Sequence, residues 1–245
     1  MSKKEIRQEY KNKKKLLKEE YKKKIDEYYK NIDKKEVINP PKRSVLEEIG
    51  NAVTHGVGSI FAIVAFILML KKSNTDMEYF ATIVYSFGLL VMFTMSCLYH
   101  SFRHGSSVKR LFRRFDYSSI YLLIGATFAP ILLCYSKDLF GLIFFFIQWL
   151  VIAVGITFVG IFGPTKLRAM HMALYMVIGW SGLLFIPRML TDNINLFYYI
   201  LGGGIVYSIG IIPFALKKKC SHFIWHFFVL AGAIVQWIGI YLYIY

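Results

Sequence analysis

Charge is scarce in this 245-residue chain, and acid is scarcer: 18% of residues are charged, with 30 Lys+Arg against 15 Asp+Glu. The charge is also unevenly placed, since residues 1–43 hold 16 of the cations and 8 of the acids. Cysteine is rare. Cys97, Cys134 and Cys220 are odd in number and lack CxxC spacing, which excludes a disulfide scaffold and a cysteine metal site. There is no apolar leader either: the chain opens Met1-Ser2-Lys3-Lys4 and stays polar for about 40 residues, so no signal peptide is expected. No lysine lies within a long apolar run, which excludes a retinal-type Schiff base. The formal charge of +15 could signal nucleic acid. No groove-reading motif accompanies it, and the cations flank apolar runs, which fits anionic headgroups instead.

What is abundant is hydrocarbon, with 56% hydrophobic residues and 17% aromatics. Together with a mean hydropathy of +0.46, this is more than a soluble core of this size can bury. Seven apolar runs are near the ~20 residues that cross a bilayer: 51–70, 79–99, 117–135, 139–162, 170–187, 196–215 and 223–244. They lack the alternation of a lipid-facing barrel strand. The fold is therefore read as all-α, a seven-helix transmembrane bundle over 44–245, behind a lysine-rich helical tail over 1–43. Pro40 and Pro41 mark the junction.

Basic residues occupy alternate loops. Arg103, Lys109, Arg110, Arg113 and Arg114 follow the second span, Lys166 and Arg168 the fourth, and Lys217, Lys218 and Lys219 the sixth. The other side carries Lys71, Lys72, Lys137 and Arg188. The bias places the N-terminus in the cytoplasm and the C-terminus outside. In the tail, Ile6, Tyr10, Leu17, Tyr21, Ile25, Tyr28 and Ile32 form a sparse stripe. A basic amphipathic helix of this kind lies on a lipid surface, pairs with a partner, or stays solvated. Gly202-Gly203-Gly204 reads as a close helix-packing stretch.

Ionisable groups inside a span are costly, so their placement is informative. Glu48, Asn51 and His55 open the first span on one helical face. Ser96 and His100 close the second, Asp116 precedes the third, and His222 and His226 open the seventh. All fall at one membrane depth. His222 and His226 are i and i+4, so one metal can reach both. Three neutral imidazoles with an open fourth position make a catalytic zinc site. Asp116 could then orient or deprotonate a water, and Ser96 could hold it. The same HxxxH pattern also suits two interfacial histidines. His104 reads as solvated, and His171 as interfacial.

Four segments carry a resemblance. Glu48-Ile-Gly-Asn51-Ala-Val-Thr54-His55, Ser96-Cys-Leu-Tyr99-His100, Phe115-Asp116-Tyr117 through Pro130, and His222-Phe-Ile-Trp225-His226 together resemble the haemolysin III family. That family is grouped with the progestin and adipoQ receptors and, more distantly, the alkaline ceramidases. The resemblance implies an N-in seven-helix fold with Zn2+ on His100, His222 and His226, and with Ser96 and Asp116 adjacent. It implies a metal-dependent hydrolase of lipid amides or esters, with Glu48, Asn51 and His55 supporting the site. Tyr117 departs from the histidine that many relatives carry after the aspartate. The alternatives are a pore-forming cytolysin, or a ligand-sensing receptor with structural zinc. The expected partners are membrane lipids, one of them a lipid substrate, and not nucleic acid. No feature of the sequence sets an oligomeric state.

Overall fold

Capping residues fix where the apolar runs become helices. In a computed structural model, which describes residues 3–38, 40–216 and 218–245, Ser44 accepts a hydrogen bond from the Glu47 amide and opens α2 (Val45–Lys72). Glu47 and Glu48 in its first turn and Lys71 and Lys72 in its last oppose the helix dipole at each end. Thr75 and Glu78 form a reciprocal capping box at the start of α3 (Asp76–Ser101). Ser106 accepts from the Lys109 amide at 3.0 Å and starts α4 (Ser107–Ala129). Pro130 cannot donate to the ladder, and α4 gives way there to a π-helical segment, Pro130–Ser136. Then follow α5 (Leu139–Phe162), α6 (Arg168–Trp180), a 3-10 turn (Ser181–Phe185), α7 (Ile186–Asp192), α8 (Ile194–Ala215) and α9 (Ser221–Tyr243). No strand occurs among the described residues.

Among the described residues, seven helical segments are long and apolar enough to cross a membrane: α2, α3, α4 with its π extension, α5, α6 through α7, α8 and α9. The chain is an all-helical integral membrane protein. The fifth span is broken by the 3-10 turn, and the third begins at Ser107 instead of near 117. Its first turns carry a basic run and so do not register as apolar. Their buried residues nevertheless continue the helical face that the span presents to its neighbours.

The chain divides into two compact units, Met1–Pro41 and Lys42–Tyr245. The first contains α1 (Lys3–Ile38), whose side chains are exposed wherever they are described. Tyr28 and Ile32 of the tail stripe, and Lys217, lie outside the residues whose side chains are described. In the second unit α3 packs against both α2 and α4, α9 against both α2 and α8, and α4 against α5 and α6. Their inner faces meet in a core that includes Ala62, Tyr85, Leu89, Phe93, Val229 and Ala233. α4 with its extension is the most enclosed span, 72% of its apolar window being buried, against 17% for α8. It packs on α3, α5 and α6.

At the end of the bundle away from the paired histidine spacings, Asp138 caps α5. Its carboxylate accepts from the Gly141 amide at 2.7 Å and the Ser136 hydroxyl at 2.9 Å, and pairs with Arg188 at 2.6 Å. The Gly141 amide, with Ser136 and Arg188 behind it, holds that carboxyl below the usual carboxylate range. The clasp joins the loop before α5 to α7.

Small residues set the spacing of the helices. Gly203, in the middle of the glycine triplet, faces Gln236 and the Gly232 carbonyl on α9, whereas a side chain at Gly202 would meet only Val235, at 3.8 Å. At Gly88 an added Cβ would collide with Ala126 and lie 3.0 Å from the Leu122 carbonyl, so rotating a side chain cannot relieve it. At Gly160 the same atom would meet nothing within 4 Å. Gly88→Val should therefore lower stability by about 1–3 kcal/mol, and Gly160→Val by far less. Thermal unfolding in one detergent compares the two, and equal midpoints would contradict this packing of α3 on α4.

Candidate metal centre

The site is assembled from three helix ends. α2 brings Glu48, Asn51 and His55, α3 brings Ser96 and His100, and α9 brings His222 and His226. Asn51, His55, His100 and His226 are each at most 3% exposed, and His222 is half-buried. The His222 Nε2 lies 3.3 Å from His100 Nε2 and 3.2 Å from His226 Nε2. One ligand atom from each of the three imidazoles lies within 4.8 Å of the others, so this group could hold a metal ion.

The groups behind the imidazoles assign their protons. The Asn51 carbonyl can only accept, so His226 Nδ1, 3.2 Å away, carries its proton. The Glu48 carboxylate likewise accepts from His100 Nδ1 at 2.5 Å. In neutral imidazoles this leaves Nε2 of both His100 and His226 as bare lone pairs, aimed at His222. His222 can donate a proton to only one of them. The protein alone thus cannot satisfy all three nitrogens, and a cation among them can. A tetrahedral centre with metal–nitrogen bonds of ~2.0–2.1 Å separates its nitrogens by ~3.3–3.4 Å. The observed separations of 3.3 and 3.2 Å match that spacing.

Around the centre the expected supporting residues take distinct places. His55 stacks on His226, with ring centroids 3.7 Å apart and planes at 15°, and meets the edge of Phe93 at 5.2 Å. It is a wall of the site, outside the group of three. Asn51 Nδ2 lies 3.3 Å from His100 Nδ1; both are donors once Nδ1 donates to Glu48, so this contact is not a hydrogen bond of the ring. Asp116 on α4 is buried, and its carboxylate accepts from the Ser96 hydroxyl, one turn before His100 on α3. His171 is engaged elsewhere. It is buried in the first turn of α6, with Nδ1 at 2.8 Å from the Tyr121 hydroxyl, which ties α6 to α4. His104 lies exposed in the loop between α3 and α4.

Two cations were hidden in stretches that read as loop and tail. Lys109 is 1% exposed. Its ammonium lies 3.0 Å from Glu48 Oε1, donates to the Phe102 carbonyl at 3.0 Å, and sits 4.9 Å from the Tyr99 ring centre. Arg43 donates to the Tyr99 hydroxyl and interacts electrostatically with His100 and Asp116. A signal for Lys109 existed: Lys109, Arg113, Asp116 and Ser119 recur at helical spacing and are all buried. The run Lys109–Glu48–His100 therefore reaches from a buried cation to one of the three clustered imidazoles.

Residues 43–237 match the family model described as Haemolysin-III related. The chain belongs to the haemolysin III family. It is 35% identical over 206 residues to Hemolysin-3 of Bacillus cereus, covering 82% of this chain and 93% of that protein. To the Hemolysin-3 homolog of Bacillus subtilis (strain 168) it is 32% identical over 195 residues, covering 78% and 91%. Monocyte to macrophage differentiation factor of Homo sapiens is 30% identical over 210 residues, covering 83% and 87%. The haemolysin III match begins at Arg43 and so includes every helix end that builds the site, while α1 lies outside it.

Removing the Lys109 ammonium would leave the Glu48 carboxylate buried beside a neutral imidazole. Lys109→Met should cost about 3–5 kcal/mol, while Lys71→Met at an exposed helix end should cost under about 0.5 kcal/mol. Unfolding of both variants beside the parent measures the difference, and a silent Lys109→Met would contradict a buried ion pair at Glu48.

Proposed function

We propose that this protein is a zinc-dependent hydrolase of a lipid amide or ester, working at the cytoplasmic leaflet. The observation that carries this reading is the convergence of three imidazole nitrogens whose tautomers are set by Glu48 and the Asn51 carbonyl. An all-nitrogen set of three with no fourth protein ligand among the described residues is the donor set of a catalytic zinc site, not of a closed structural one. Zinc bound there would supply Lewis acidity toward a carbonyl and lower the pKa of water to ~7.

The chain's own groups supply the rest. His100 and His226 are held in one ring orientation, so they do not reorganise as charge develops. Asp116, oriented by Ser96, takes a proton from the attacking water and returns it to the departing amine or alcohol. An apolar cavity lined by residues of α4, α6, α8 and α9 would take the acyl chain. Phe214 and Trp225 line it next to the site, Phe214 lying 6.1 Å from the His222 ring, and Ile186, Met189 and Phe197 line its far end. The positive-inside bias supports the cytoplasmic placement.

The names of the bacterial relatives favour a second reading, a cytolysin. A conducting pore needs polar lining through the membrane. The cavity is walled almost wholly by apolar side chains, so the hydrolase reading is preferred. In a hydrolysis assay on lipid amides and esters, chelated protein should regain activity on adding zinc. Asp116→Asn should lose about 10²-fold or more in kcat while keeping its metal. Equal turnover by parent and Asp116→Asn would remove Asp116 from the chemistry, and turnover that survives chelation would remove zinc.

A further inference from the structure

The helix α1 is not covered by the family match and has no role in the hydrolase reading. Its sequence nevertheless has an order of its own. Apolar positions recur every eleven residues, as Ile6, Leu17 and Tyr28 and again as Tyr10, Tyr21 and Ile32. Eleven residues complete three helical turns to within about 20°. A straight helix with this period keeps one stripe on one side for its whole length, ~1.5 Å per residue over Lys3–Ile38.

Charge follows the stripe. At about 100° per residue, Ile6, Tyr10, Leu17, Tyr21 and Ile25 fall within an arc of about 100°. Glu5, Glu9, Glu19, Glu20 and Glu27 fall in an arc of similar width on the opposite side. Arg7, Lys18, Lys11, Lys22 and Lys15 extend in that order from one edge of the stripe, while Lys14 lies within it and Lys24 and Lys13 lie at the other edge. Five of the eight tail acids thus face away from the stripe, with Leu16 and Lys23 on their side, while Glu36 falls among the flanking cations. The stripe is open, with Ile6 at 53%, Leu17 at 60% and Tyr21 at 69% exposure.

We propose that α1 docks through this face onto an anionic lipid surface. Cations around an apolar stripe complement headgroups, and lysine stems can bury while their ammonium groups reach phosphate. Two tyrosines on the stripe suit the same depth. Self-pairing would bury Lys14, which lies inside the stripe, against the apolar face of a second copy, whereas Lys24 at the edge is already paired with Glu20 at 2.8 Å. Acids at the back keep that side in water.

The test uses the full chain in single-copy nanodiscs, with Cys97, Cys134 and Cys220 replaced and an environment-sensitive fluorophore on Leu17→Cys or Glu19→Cys. With about 30 mol% phosphatidylserine, the label at 17 should shift to the blue and the label at 19 should not. About 0.5 M salt, or Lys11→Glu/Lys14→Glu/Lys18→Glu together, should reduce the shifted fraction at least tenfold. In phosphatidylcholine alone neither label should shift. Shifts of equal size at 17 and 19, or a shift at 17 indifferent to lipid charge, would overturn the proposal. So would a shift at 17 that appears only when two copies share a disc, which would assign the face to a second copy of the chain.

Discussion

Glu48 is bound from two sides, and the histidine site depends on that arrangement. One carboxylate oxygen accepts from His100 Nδ1 and the other faces the Lys109 ammonium. A carboxylate this poorly solvated is costly unless charge and hydrogen bonds replace the lost water. Lys109 supplies the charge, and is itself held by the Phe102 carbonyl at the end of α3. The result is a His100 ring with one permitted tautomer, its lone pair turned inward. Asn51 does the equivalent for His226 with its backbone carbonyl. Three helix ends are thereby held in register by polar contacts.

The same economy explains why the polar groups gather at one end. The opposite end of the bundle carries its own closed set, Asp138 with Ser136, Gly141 and Arg188, in which each charge has a partner. Between the two lies hydrocarbon and the apolar cavity. The central helix α4 contributes to all three regions: Lys109 and Asp116 at the histidine end, Leu123 and Phe128 along the cavity, and the π segment to Ser136 at the clasp. Its proline does not end the span. It shifts the ladder to a wider turn, and the span continues.

Much of this was legible in the sequence because membrane physics leaves few solutions. Seven long apolar runs without alternation fold as helices, and the histidine spacings place ring nitrogens on matching faces. Lys109 was read as a loop charge because it sits in a basic run, where composition hides a helical stripe. The helical spacing of Lys109 with Arg113, Asp116 and Ser119 is the trace of that stripe, and all four are buried in α4. Arg43 was counted with the tail for the same reason. The partner of His171 was not readable, because Tyr121 is fifty residues away and on another helix. Contacts that join spans are set by which helices neighbour one another, and hydropathy carries no record of that order. The pairing of His55 with His226 as a stacked wall was likewise beyond what spacing within one helix can show.

The central claim is that three imidazole nitrogens, with protons assigned by Glu48 and Asn51, share one metal ion. Elemental analysis of purified protein, prepared without chelator, tests it directly beside folded His226→Ala and His171→Ala variants. About one zinc per chain in the parent and in His171→Ala, with none in His226→Ala, is the predicted result. Metal-free parent protein that unfolds cooperatively and accepts no added zinc would contradict the account, as would zinc retained in His226→Ala.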